Sequence, residues 1–215
     1  MSSHHYVKEG QEPALVVANG QMCDYEILTN LMEWCPFMVA LDGAYDRLRE
    51  LQITPDVVIG DLDSLKSQEY NLNVEFIKID NQETTDLEKA FDFLISKGYT
   101  DINVVWATGN RLDHTVNNLA TLAKYKMTNV VIYDSYSRCF VLPKHFKKFY
   151  DKGTALSLIP IPLATGITTK NLKYPLDNEP LDFGGRSGTS NEVLNSSVVE
   201  ISYDSGILVL IESKN

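Results

Sequence analysis

The sequence predicts an α/β domain on a mostly parallel, Rossmann-like sheet, followed by an all-β domain of sandwich or barrel-like type. Three observations carry this expectation. Between residues 14 and 133, short runs rich in Val and Ile alternate with longer segments of helical period, the pattern of β-α-β units. After about Ser135 the helical period stops, and Gly, Pro, Ser and Thr rise between short alternating segments. Polar clusters also fall directly after successive strands of the first part, along the edge where an open parallel sheet binds its ligands. The boundary belongs near residues 135–150, giving domains at 13–140 and 141–215, both within the usual size range.

The elements follow in order. Strands are expected at residues 14–18, 37–41, 57–59, 74–79, 102–107 and 130–133. The best helix is 86–97, where Leu87, Ala90, Phe91, Leu94 and Ile95 recur at three and four residues and share one face. Thr85 with Glu88 three residues later forms a capping box, and Gly98 supplies a C-terminal cap. A second helix is expected at 113–124, with Val116, Leu119, Ala120 and Ala123 facing inward. In the β part, runs 198–203 and 207–211 joined by Asp204-Ser205-Gly206 read as a hairpin.

Composition narrows the function classes. The chain of 215 residues carries 29 Asp plus Glu against 19 Lys plus Arg, a formal charge of −10. Coating nucleic acid or an anionic membrane depends on clustered Lys and Arg, so neither partner is expected. The longest basic cluster, Lys144 to Lys148, is broken by His145 and Phe146. No apolar run approaches the roughly 18 residues a membrane helix needs. Three cysteines without C-x-x-C spacing indicate neither a disulfide framework nor a cysteine zinc site, and fit a reducing cytoplasm.

The chemistry sits on the strand ends: Asn19-Gly20, Asp42-Gly43-Ala44, Gly60-Asp61-Leu62-Asp63-Ser64, Asp80-Asn81-Gln82 and Thr108-Gly109-Asn110-Arg111. Each taken singly is an ordinary turn. Asp61 and Asp63 stand out, because in extended backbone residues two apart point the same way and aim two carboxylates at one point. Like charges that close call for a cation, and carboxylates plus phosphate oxygens are the usual Mg²⁺ ligands. A helix-capping Asp beside a solvated one is an equal alternative. Asp86 is a candidate third ligand or a helix-dipole partner. No Walker loop and no G-x-G-x-x-G is present, so phosphate would rely on metal, helix N-termini and Arg111, or else Arg111 simply pairs with Asp113. His114 reads as a hydrogen-bonded residue at a helix start rather than a base. In the β part, Gly184-Gly185-Arg186-Ser187-Gly188-Thr189-Ser190-Asn191-Glu192 is either a flexible loop or a site for a polar heterocycle.

Together these motifs resemble the thiamin pyrophosphokinase family. The match rests on Asp42-Gly43-Ala44, Gly60-Asp61-Leu62-Asp63-Ser64, the run from Gln82 through Thr84, Thr85 and Asp86 to Lys89 and Ala90, Gly109-Asn110-Arg111-Leu112-Asp113-His114, and Gly188-Thr189-Ser190-Asn191-Glu192. The resemblance implies Mg²⁺-dependent transfer of a pyrophosphoryl group from ATP to thiamine, giving thiamine diphosphate and AMP, in a homodimer. It implies metal ligation by Asp61, Asp63 and Asp86. It implies ATP binding by Asp42, Gly43, Gln82, Thr85, Arg111 and Asp113, with Arg111 catalytic beside the three metal ligands, and thiamine binding by Ser187, Ser190 and Asn191. Arg186 departs from the pattern, since its charge would oppose a thiazolium cation. A metal-dependent phosphohydrolase and a non-catalytic nucleotide or vitamin sensor are the competing expectations.

Overall fold

The computed structural model describes residues 12–63 and 73–214, so Ser64 lies outside the described residues. The chain divides into two compact units. The first holds the described residues up to Thr121 with Met127–Ser135, and the second holds Leu122–Lys126 with those from Tyr136 onward.

The first unit contains strands β1 (Ala14–Val17), β2 (Phe37–Leu41), β3 (Val57–Gly60), β4 (Glu75–Lys78), β5 (Asp101–Val105) and β6 (Asn129–Tyr133). They pair in parallel in the order β4-β3-β2-β1-β5-β6. β1, β2 and β3 are nearly continuous buried apolar runs, as expected where both faces of a parallel sheet are covered. Strand order reverses beside β1, where β2 lies on one side and β5 on the other, and such a switch point opens a crevice at the carboxyl ends.

Four helices follow: α1 (Tyr25–Trp34), α2 (Asp42–Glu50), α3 (Asp86–Ser96) and α4 (Leu112–Lys124). α3 has the expected ends. The Glu88 amide donates to Thr85 Oγ1, the Thr85 amide donates to Glu88, and the Gly98 and Tyr99 amides close the last turn. α2 departs from the expectation of a turn, because Asp42-Gly43-Ala44 is already helical, immediately after β2. Burial of Ala44, Tyr45 and Leu48 along one side drives it. α4 departs as well. Val116 is 52% and Leu112 77% exposed, Ala120 is exposed, and the buried residues near its end are Thr121 and Leu122.

The second unit contains β7 (Ser137–Val141), β8 (His145–Tyr150), β9 (Ala155–Lys170), β10 (Glu179–Asp182), β11 (Gly188–Glu192), β12 (Ser197–Ser202) and β13 (Ser205–Ser213). Its described pairings are all antiparallel. The long β9 organises them: its body pairs with β10, β11 and β13, and its last residues, Thr168 to Lys170, pair with β12. The expected hairpin is therefore not formed. β12 pairs with β8 and β9, and β13 with β7 and β9, so Asp204 marks a crossing between strands that part. A single core of Leu156, Leu158, Ile167, Val199, Ile201, Leu208 and Leu210 fills the space these strands enclose.

At the edge of this core, Glu212 accepts from Arg138 at 2.5 Å, from Lys148 at 2.8 Å and from the Tyr150 hydroxyl, which ties β7, β8 and β13 together. Burial raises the Glu212 pKa, but the three donors outweigh it and leave the group below the ordinary glutamate value.

β9 changes partners at Gly166, whose φ is +66°, and a Cβ there would lie 2.2 Å from the Asp204 carboxylate. Gly166→Ala is expected to lower stability by about 1–3 kcal/mol, through left-handed strain and the displaced carboxylate. Chemical denaturation measures it, and an unchanged midpoint would show that β9 does not depend on this kink.

Candidate active site

The five polar clusters at the strand ends line one cleft of about 390 Å³ in the first unit. Its wall takes Asn19 and Gly20 after β1, Asp42 after β2, Asp61 after β3, Gln82, Thr84, Thr85 and Asp86 after β4, and Gly109, Asn110 and Arg111 after β5. Three helices begin here. α2 opens with Asp42, α3 with Asp86, and α4 directly after Arg111, so their N-terminal N–H groups favour anions in a place crowded with carboxylates.

Asp42, Asp61 and Asp63 present oxygens that all lie within 4.8 Å of one another. They converge for a reason other than the extended pleat expected from the sequence. Leu62 has φ +63° and its side chain packs on the core, while the Asp63 amide donates to Asp61 Oδ1 at 3.3 Å. The chain thus turns back on itself after β3 and keeps both carboxylates on the cleft side. Asp42 reaches them across Gly60, where a Cβ would meet its Cγ at 2.7 Å.

The electrostatics are those of a crowded acid site. Asp42 is 5% exposed, and burial pushes its pKa up to about 6, with Asp86 and Asp61 adding repulsion against the Gly43 amide at 2.6 Å. The hydrogen bond shared with Asp63 pulls Asp61 below its ordinary value, and the Lys89 charge assists. The same contact raises Asp63. Asp42 Oδ2 is buried with no hydrogen-bond partner among the described residues. A buried, unpaired carboxylate oxygen beside two further carboxylates is a fitting donor set for a hard divalent cation. Asp86, the third ligand implied by the resemblance, lines the cleft but accepts an ion pair from Lys89 at 2.9 Å. Asp42, assigned to the nucleotide side, is the residue whose oxygen joins Asp61 and Asp63.

Arg111 holds Asp113 with both arms, Nε at 3.1 Å and Nη2 at 2.5 Å. This pairing lowers Asp113 to about 2 and raises Arg111. Both partners are largely exposed, so solvent screens the pair and it holds the guanidinium only weakly. Gln82 and Thr85 line the cleft, and Gly43 acts through its amide on Asp42. Lys89, Asn118 and Asn19 also line the cleft without a ligand assigned to them from the sequence. Lys89 could have been found as a lysine among the apolar positions of α3.

The expected thiamine contacts lie in the second unit. Ser187 and Ser190 are exposed, and Ser190 has φ +57° with its amide donating to Ser157 Oγ at 3.0 Å. Asn191 is buried with its amide already spent: Nδ2 donates to the Tyr174 carbonyl at 2.7 Å, and Oδ1 accepts from the Tyr174 and Glu192 amides. Arg186 is ion-paired with Glu179 at the start of β10, so its charge is compensated from outside the loop.

These features define an α/β cleft lined by helix N-termini and by a carboxylate cluster whose chemistry fits a divalent cation, joined in sequence to a β unit. The family model described as thiamin pyrophosphokinase, catalytic domain, matches residues 28–133, and that of the vitamin B1 binding domain matches residues 144–208. Thiamine pyrophosphokinase 1 of Oryza sativa subsp. japonica is 32% identical over 79% of this chain and 70% of its own length. The Bacillus subtilis thiamine pyrophosphokinase is 27% identical over 92% and 97%. Among solved structures, thiamin pyrophosphokinase from Geobacillus thermodenitrificans superposes with TM-score 0.80 at 28% identity, covering 94% of this chain and 97% of that one. The yeast enzyme, at 18% identity and TM-score 0.81 over 96% and 88%, shares the fold. The chain belongs to the thiamin pyrophosphokinase family.

Because its folded pKa lies above the unfolded value, Asp42 favours the folded state as pH falls through about 6, and that contribution is gone at pH 7.5. Asp42→Asn is therefore expected to stabilise the metal-free protein at pH 7.5, on the order of 1–2 kcal/mol, with the gain shrinking as pH falls through about 6 and vanishing only below about 3.8. Mg²⁺ should raise the wild-type melting midpoint at pH 7.5, less so at pH 5, and least in the variant. Thermal unfolding across pH reads all three. A variant less stable than wild type at pH 7.5 contradicts the account.

Proposed function

We propose that this protein transfers a pyrophosphoryl group from ATP to the hydroxyethyl oxygen of thiamine, releasing AMP and thiamine diphosphate. The observation that carries this reading is the coincidence of family membership across both units with a carboxylate cluster on the rim of the α/β sheet. In this reading the first unit is a Rossmann-like nucleotide domain and the second a β-sandwich that carries thiamine, divided as residues 13–140 and 141–215.

The thiamine hydroxyl attacks the β-phosphorus in line. The bond from that phosphorus to the α–β bridging oxygen breaks, AMP leaves with the electron pair, and the hydroxyl proton passes to solvent water. Asp61 and Asp63 would hold Mg²⁺, with Asp86 and the buried Asp42 as further carboxylate donors. When bound, Mg²⁺ supplies positive charge to the phosphate oxygens. Arg111 leaves Asp113 to meet charge on the phosphoryl oxygens, and the N-termini of α2, α3 and α4 orient the chain of phosphates. Gln82 and Thr85 line the nucleotide's path. Ser187 and Ser190 offer hydroxyls to thiamine, while Asn191 serves by fixing the loop to Tyr174. Catalysis here is positioning and charge compensation more than proton transfer.

The proposal extends to a homodimer in a reducing cytoplasm. The three cysteines are buried and none is joined in a disulfide, and no helix among the described residues is long and apolar enough to cross a membrane. Light scattering is expected to give about twice the chain mass of 24.2 kDa, and a fully active 24.2 kDa species overturns the dimer.

Incubation with ATP, Mg²⁺ and thiamine, followed by chromatography, is expected to yield AMP and thiamine diphosphate in equal amounts. ADP as the nucleotide product, or build-up of thiamine monophosphate, overturns the one-step transfer. Asp61→Asn and Asp63→Asn are each expected to lower kcat at least ~100-fold while leaving the fold intact by circular dichroism. Near wild-type turnover at saturating Mg²⁺ contradicts their role.

A further inference from the structure

Lys89 sits one helical turn after Asp86 on α3, and its side chain is 5% exposed. Lysine is almost never so buried unless paired. Its partner, Asp86, is 36% exposed and opens onto the cleft, so the pair is not sealed into the core. The ammonium has three donors, and Asp86 Oδ1 at 2.9 Å is the one acceptor it reaches among the described residues. Among the described residues, its two other N–H groups are left unspent.

The surrounding charges make this position unusual. Asp42, Asp61, Asp63 and Asp86 crowd one side of the cleft, and an ionised triphosphate entering there meets repulsion from each. Arg111 lines the other side and is exposed, with both arms on Asp113. On the carboxylate side, Lys89 is the one fixed cation among the described lining residues. A buried charge also acts through a lower effective dielectric than one at the rim, so each contact it makes is stronger.

We propose that Lys89 is a nucleotide-binding residue whose two unspent N–H groups donate to non-bridging oxygens of the ATP polyphosphate. The proposal rests on the reading of the cleft as the ATP site. Asp86 then keeps the ammonium in place and compensated until phosphate arrives. Lys89 thus supplies the buried positive charge that Walker-type enzymes place on their loop lysine.

The test measures binding of Mg²⁺ with α,β-methylene-ATP by calorimetry, and the melting response to Mg²⁺ alone, in wild type, Lys89→Met, Lys89→Gln and Lys89→Arg. Hydrogen bonds to charged groups of this kind correspond to about a tenfold to hundredfold loss of nucleotide affinity in Lys89→Met. Lys89→Arg should recover part of that loss, and the KM for ATP should rise while the KM for thiamine stays. The Mg²⁺ response should be kept or enlarged, because a competing cation has gone. Equal nucleotide affinity in wild type and Lys89→Met overturns the proposal. So does a parallel collapse of nucleotide affinity and Mg²⁺ response, which marks Lys89 as a prop for Asp86 alone. Should Lys89→Met fail to fold, Lys89→Gln, which keeps two N–H donors without the charge, carries the same comparison. Absence of nucleotide binding by the wild-type protein overturns the ATP-site reading itself, a result separate from any difference among the variants.

Discussion

Everything in the first unit is arranged around a repulsion. Asp42, Asp61 and Asp63 bring their oxygens together at the carboxyl edge of the sheet, and Asp86 stands close by. Such a group costs stability in the absence of a compensating cation, so the rest of the unit must hold it in place. The buried strands β1, β2 and β3 supply that rigidity, and Leu62 anchors the turn between two of the acids in the core. Helix N-termini supply part of the compensation through fixed backbone dipoles. Lys89 and Arg111 add full charges at two levels, one buried and one at the rim.

The sequence made some of this legible and hid the rest for identifiable reasons. α3 could be read to within a residue because its periodicity, capping box and terminal glycine all agree. The rim clusters could be read because they recur after strand upon strand. α2 was hidden because Asp-Gly directly after a strand looks the same whether a turn or a helix follows. The convergence of Asp61 and Asp63 was expected for the wrong local reason, since spacing alone cannot show that Leu62 is left-handed. The inward face assigned to α4 failed because an apolar stripe states what could be covered, not what covers it.

The second unit illustrates a further limit. Strands β12 and β13 carry the local signature of a hairpin, two apolar runs about three turn residues, yet they pair with different neighbours. Local chemistry specifies that the chain turns at Asp204, and only the long-range partners decide whether the flanking strands stay together. The same holds for the loop at 184–192. Its composition announces polar contacts, but the pairing of Arg186 with Glu179 and the commitment of Asn191 to Tyr174 depend on residues distant in sequence.

The place of β13 has a bearing on how the protein is made. This strand lies between β7 and β9, so the centre of the second unit's sheet is supplied by residues 205–213, after every other strand of that unit. On the ribosome, β7 to β12 emerge with the slot between β7 and β9 unfilled, and the apolar edges flanking it wait for their partner. The first unit has no such dependence, since its six described strands are complete by Tyr133. Synthesis therefore delivers a parallel sheet able to form early and a β unit that must remain open until its last strand clears the exit tunnel. A nascent chain arrested before residue 205 would carry the acidic cleft's own scaffold and an unsatisfied sheet edge, the kind of surface that chaperones shield.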